Sequence, residues 1–137
     1  MTGQILFRFV RHWSRRDSGG EQGRLVLVSE AVHTLSQRGA PATVNAIAHE
    51  IGIDQSGASR LIKDAAAAGH VIMTASPADG RQREASLTPA GRTMLEQAHR
   101  WQEDIFGQLT TGWSEKKRHD FQQAMTDLMD RSYALDP

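Results

Sequence analysis

The chain has 137 residues, 39% of them apolar and 23% charged, with sixteen Lys/Arg balanced by sixteen Asp/Glu and no cysteine. That is enough to bury one core and too little for two, and the composition is that of a folding chain, so one domain over residues 1–137 is expected. Without cysteine, disulfides, thiolate metal sites and thiol-based sensing are excluded and a reducing cytoplasm is the expected location.

Residues 2–17 place Ile5, Leu6, Phe9 and Trp13 at helical spacing, and Asp17-Ser18-Gly19-Gly20 supplies a stop. The arginines interrupting this run make it unfit as a signal segment. Nowhere do eighteen consecutive apolar residues occur, so neither export nor membrane insertion is expected. Residues 21–38 repeat the pattern through Leu25, Val28, Val32 and Leu35, and Gly39-Ala40-Pro41 ends that helix.

Thr43 has the side chain to cap a short helix running through Val44, Ile47, Ala48 and Ile51, which Gly52 closes. Asp54 then caps a helix whose Ala58, Leu61, Ile62 and Ala65 share one face, ended by Gly69. Val71-Ile72-Met73-Thr74 is β-prone, Ser76-Pro77-Ala78-Asp79-Gly80 is turn chemistry, and Glu84 to Leu87 return as a second strand. Thr88-Pro89 opens a long helix with Met94, Ala98, Trp101, Ile105 and Leu109 on one stripe. Gly112 interrupts, Ser114 caps again, and Phe121, Met125, Leu128 and Met129 form the apolar face of a last helix reaching about Tyr133.

The order is helix, helix, helix-turn-helix, hairpin, long helix, helix. It reads as a mainly α fold: a winged helix-turn-helix over residues 39–91, with residues 1–38 and 92–137 as a helical dimerisation region. Amphipathic terminal helices need something to cover their apolar faces, and a second copy of the same chain is the expected cover, giving a homodimer.

Two short helices joined by a tight glycine turn, with a hairpin behind, present the second helix to the major groove of DNA. Its outer face carries Gln55, Ser56, Ser59, Arg60 and Lys63, residue types that hydrogen-bond base edges or phosphates. Gly57, a poor helix former, stands near the helix start, where it permits close approach to DNA. Taken alone, this face also fits an ordinary solvated surface. The hairpin arginines Arg81 and Arg83 tilt the balance, since on a strand they project to one side, where one enters a narrow minor groove and the other contacts Asp79 or a phosphate.

Asp79-Gly80-Arg81-Gln82-Arg83 resembles the acidic-x-Arg-x-Arg wing signature of the MarR family of bacterial transcription regulators. Ser86-Leu87-Thr88-Pro89-Ala90-Gly91 is similar to the segment that follows it there, and Asn45-Ala46-Ile47-Ala48 and Ser59-Arg60-Leu61-Ile62 fall where that family places its two helix-turn-helix helices. The resemblance implies a dimer that binds double-stranded DNA at pseudo-palindromic operators, acts by default as a repressor, and releases DNA when a small, often aromatic, effector binds. It also implies that Asp79 braces the wing, that Arg81 reaches the minor groove, and that Thr43, Ser56, Ser59, Arg60 and Lys63 belong to the DNA surface. His12, Trp13, Arg16 and Trp101 lie on helices that border the family's effector cleft. Aromatic stripes are otherwise dimer core.

The sequence departs from that pattern at Ala65, where the family packs leucine, and at Met73-Thr74, where arginine is common. Residues 39–87 hold four Lys/Arg against five Asp/Glu, which predicts modest non-specific affinity and a shallow salt dependence. A winged helix that holds a protein partner and has little affinity for DNA remains the alternative.

The six histidines, His12, His33, His49, His70, His99 and His119, are isolated, with no His-x-x-x-His pair and no thiolate to complete a zinc set. No phosphate-binding glycine loop, nucleophile elbow or tuned carboxylate pair occurs, so neither an enzyme nor a resident cofactor or metal is expected.

Overall fold

A computed structural model describes the backbone of residues 1–17, 20–77 and 80–135, with side chains except at 15–17, 20 and 21. Among the described residues, six helices and one hairpin follow the expected order: α1 Thr2–Asp17, α2 Gly20–Gln37, α3 Val44–Ile51, α4 Gln55–Ala67, β1 Val71–Ala75, β2 Arg83–Leu87, α5 Pro89–Leu109 and α6 Glu115–Leu135. Mainly helical with one two-stranded sheet, the chain has the winged-helix class of fold. It divides into two compact units, Met1–His99 and Arg100–Pro137.

In the first unit, local chemistry sets each boundary. Thr43 stands in extended conformation and its Oγ1 accepts the Ala46 N–H at 3.1 Å, so α3 begins there. Gly52 ends α3 at φ 83°, a left-handed conformation that side chains oppose, and donates its N–H to Ala48 O at 2.9 Å. Asp54 repeats the capping role for α4, its Oδ1 accepting from Gly57 N at 2.9 Å. Thr88 Oγ1 accepts from Gly91 N at 3.0 Å and opens α5. The Asp17-Ser18-Gly19-Gly20 stop lies partly outside the described residues; α1 ends at Asp17 and α2 already begins at Gly20.

The core collects one face of each element. Val28 from α2, Ile47 from α3, and Val71 from β1 are buried, joined by Leu25, Val32 and Leu35, by Ile62 and Ala65 of α4, and by Met94 of α5. Ala65, the small residue at a leucine position, is fully enclosed in this cluster. The hairpin is antiparallel, pairing Val71 with Leu87, Met73 with Ala85 and Ala75 with Arg83. Val71, Met73, Ala85 and Leu87 turn to the core side, while Ile72, Thr74 and Ser86 stay exposed, the alternation that a one-sided sheet requires. A short third pairing adds Thr43 opposite Glu84, and the Ala85 N–H donates to Ala42 O at 2.9 Å.

In the second unit, the end of α5 turns at Gly112 (φ 85°) into α6, where Ser114 Oγ accepts from Lys117 N at 3.1 Å. Phe106 stacks on Phe121 with centroids 5.7 Å apart, Trp113 meets Phe121 edge-on at 5.8 Å, and the Lys117 ammonium lies 4.2 Å from the Trp113 ring centre. The expected apolar stripe of α6 is open: Phe121, Met125, Leu128 and Met129 are each more than a third exposed. On α1, Ile5, Phe7, Phe9 and Val10 are exposed as well. Among the described residues no helix is long and apolar enough to cross a membrane.

Candidate nucleic-acid interface

The side chains of α4 divide into two sets. Ala58, Ile62 and Ala65 are buried against the core, and Gln55, Ser56, Arg60 and Lys63 are exposed, with Ser59 half-buried at the edge. A helix of 13 residues thus shows one continuous polar strip carrying two cations, two hydroxyls and an amide, all able to donate hydrogen bonds. Its N-terminal end is held by Asp54. A Cβ on Gly57 would come within 2.6 Å of Asp54 Oδ1, so the glycine leaves room for the capping carboxylate. This local role adds to the close approach to DNA that the sequence suggested for Gly57.

Thr43 caps α3 with its side-chain oxygen and stands beside the hairpin through its pairing with Glu84. The cap therefore fixes α3, and through the turn α4, relative to the wing. The two wing arginines take different situations. Only Arg83 is on a strand; Arg81 sits in the turn ahead of it, so period-two alternation does not put the pair on one side. Arg83 is exposed yet reaches back along the hairpin, donating from Nη2 to Met73 O at 3.0 Å. That bond occupies the Met73 position, where the sequence lacks an arginine of its own. Asp79 lies outside the described residues.

Of the residues read as an effector cluster, His12 is exposed and packs edge-on to the half-buried Trp13 at 5.3 Å, both on α1. The Arg16 side chain lies outside the described ones, and Trp101 is 42% exposed in the second unit. Sequence reasoning missed a different grouping. His99 Nε2 lies 2.8 Å from Glu30 Oε1, and the His33 ring sits 5.9 Å from that of His99. The spacing of Glu30 and His33 on α2, repeated by Glu96 and His99 on α5, marks residues on one face of each helix, but nothing in either segment says that the faces meet. Among the described residues, no group of three or more His, Asp or Glu is arranged to hold a metal ion.

A model of the MarR family matches residues 27–82, from the middle of α2 to the tip of the wing. The winged helix-turn-helix segment is thus similar to that of the MarR family. Solved structures extend the likeness of fold over nearly the whole chain. The transcriptional regulator BldR from Sulfolobus solfataricus aligns over 95% of this chain and 95% of its own at 16% identity, with a TM-score of 0.66. BpsR of Bordetella bronchiseptica, whose DNA binding is regulated by 6-hydroxynicotinic acid, aligns over 95% and 94% at 20% identity and a TM-score of 0.65. A probable transcriptional regulator from Pseudomonas aeruginosa aligns over 93% and 96% at 21% identity and a TM-score of 0.62. No curated protein matches the sequence significantly. The chain shares its fold with these structures, two of which are named as transcriptional regulators.

Proposed function

We propose that this MarR-type chain is a homodimeric, sequence-specific DNA-binding regulator that occupies a pseudo-palindromic operator and represses transcription. The observation that carries the reading is the outward strip of α4, which sets Gln55, Ser56, Ser59, Arg60 and Lys63 on a helix capped at its start and backed by a buried apolar face. Arg60 is the side chain fitted to donate twice to guanine, and Gln55 the one fitted to pair with adenine. Thr43 and Lys63 serve the phosphates. Arg81 enters the minor groove, Asp79 braces the wing, and Arg83 contributes charge beside it.

Dimerisation covers the exposed apolar faces of α1 and α6 and sets two recognition helices about one DNA turn apart, roughly 34 Å. A small effector releases DNA by favouring a spacing of the two helices that no longer fits adjacent grooves. His12, Trp13, Arg16 and Trp101 are candidates for that response. We assign the chain no enzymatic role.

A second reading has one observation behind it: the near-neutral segment 39–87, with Arg83 turned onto the Met73 carbonyl, suits a winged helix that holds a protein partner. A gel shift with promoter DNA of the protein's own gene, run beside sedimentation analysis, separates the two. A dimer that retards this DNA at submicromolar concentration supports the regulator. A chain that leaves both its own promoter and random DNA unshifted supports the protein-binding module.

A further inference from the structure

We propose that Asp64 is a specificity-determining residue of the DNA surface: its carboxylate accepts a hydrogen bond from the N4 amino group of a cytosine close to the guanine that Arg60 contacts, and repels DNA that offers no such donor. The proposal rests on the regulator reading above.

Asp64 is the one acidic residue within α4, and it is exposed, as are Arg60 and Lys63. Residues four apart share a helix face, so Asp64 stands one turn beyond Arg60, about 6 Å along the axis. The outward strip of cations, hydroxyls and an amide therefore runs on into a group that only accepts.

Two features set this carboxylate apart from an ordinary solvated one. First, opposite charges four apart close on each other elsewhere in the chain: Lys116 Nζ lies 2.7 Å from Asp120 Oδ2, and Arg131 Nε lies 2.9 Å from Asp127 Oδ2. Arg60 and Asp64 have the spacing and order of Lys116 and Asp120, yet among the described residues no ion pair or hydrogen bond joins their side chains, and both stay open. Second, Asp64 lies in the last turn of α4, where the helix dipole disfavours negative charge and no basic residue offsets it. The charge adds nothing to the stability of the helix, so its effect falls on what approaches α4.

On DNA, a lone carboxylate is repelled by phosphates at every sequence alike. Only a donor on a base edge offsets that. Adenine and cytosine both offer an amino group in the major groove, but adenine sets the acceptor N7 beside it, whereas cytosine offers the donor alone. Cytosine is thus the base that suits a pure acceptor. With base pairs roughly 3.4 Å apart, a side chain one helical turn from Arg60 reaches a base pair one or two steps from the guanine. A carboxylate placed among cations lowers affinity for DNA in general and restores it where a cytosine is positioned to donate.

The test compares the parent chain with Asp64→Ala and Asp64→Asn on two labelled duplexes, a site selected from genomic fragments and a shuffled sequence of the same composition, read by anisotropy. In Asp64→Ala, binding to shuffled DNA is expected to rise severalfold and binding to the site to fall roughly tenfold, the scale of one good base contact. Asp64→Asn should move the preference at that position from cytosine to adenine. N4-methylcytosine, installed at each cytosine of the half-site in turn, keeps the base pair and blocks the amino hydrogen in the major groove. At one position it should reproduce the tenfold loss in the parent and leave Asp64→Ala unaffected. Melting temperatures of both variants are expected to be no lower than the parent's, which keeps a lost contact apart from a failure to fold. Undiminished binding of the site by Asp64→Ala, or methylation without effect at every cytosine, overturns the proposal while leaving a sequence-selective regulator in place. A chain that prefers no fragment over shuffled DNA overturns the regulator reading, and this inference with it.

Discussion

The α-carbon of Gly91 lies directly against the carbonyl of His70, so that a Cβ at position 91 would overlap that oxygen. The same carbonyl accepts the Thr88 N–H at 3.0 Å, and Thr88 Oγ1 donates to Gly69 O at 2.6 Å. One glycine thus lets α5 start flush against the segment that ends α4 and begins the wing. Gly91→Ala is expected to destabilise the fold by about 1–3 kcal/mol, the usual cost of overpacking, measured by urea unfolding. Gly107, also on α5 but facing open space, is the control: Gly107→Ala should stabilise by about 0.5–1 kcal/mol. Equal effects of the two would refute the close-packing role.

The recognition helix depends on its first turn. Asp54→Ala removes the acceptor for the Gly57 N–H and is expected to lower stability by about 1 kcal/mol. Asp54→Asn keeps an acceptor and should retain most of it. Thermal unfolding of the two variants decides this; an alanine variant as stable as the parent would mean that the cap contributes nothing.

Some of this was legible in the sequence because a short polar side chain before an apolar periodic run has few other uses. Thr43, Asp54, Thr88 and Ser114 all cap as their positions suggested. The β-prone runs on either side of turn chemistry likewise pointed to the hairpin that pairs Val71–Ala75 with Arg83–Leu87. What stayed hidden depends on tertiary contact. The Ala42–Ala85 bond and the Glu30–His99 contact across 69 positions join segments with no local sign of each other. Arg83 misled for a different reason. Its spacing from Arg81 mimics a strand pair, whereas the turn still occupies position 81 and Arg83 finds a backbone carbonyl within reach.

That difference between the arginines is testable. Arg81→Ala is expected to weaken operator binding by about 1–3 kcal/mol, as loss of a groove contact does. Arg83→Ala should cost less in affinity and show itself mainly as faster amide exchange in the hairpin, since its guanidinium is bound to Met73 O. Arg83→Ala weakening DNA binding more than Arg81→Ala would reverse the assignment.

Residues 39–87 hold only four Lys/Arg, Arg60, Lys63, Arg81 and Arg83, and eight such side chains in a dimer limit the phosphates they can neutralise. With each neutralised phosphate contributing roughly −0.9 to the slope of log affinity against log salt, that slope should be no steeper than about −7. Anisotropy titrations between low and moderate salt measure it. A slope near −10 would show that cations outside this segment dominate the contact.

If α4 reads sequence, the protein selects particular DNA sites over others. Genomic fragments selected by the purified protein, followed by affinity measurement on the enriched site and on scrambled DNA, test it most directly. A two-fold-related motif with half-sites one turn apart is expected, bound at least about 10³-fold tighter than scrambled DNA, with most of that ratio lost in Arg60→Ala. Equal affinity for both DNAs, or a preference that survives Arg60→Ala intact, would contradict it.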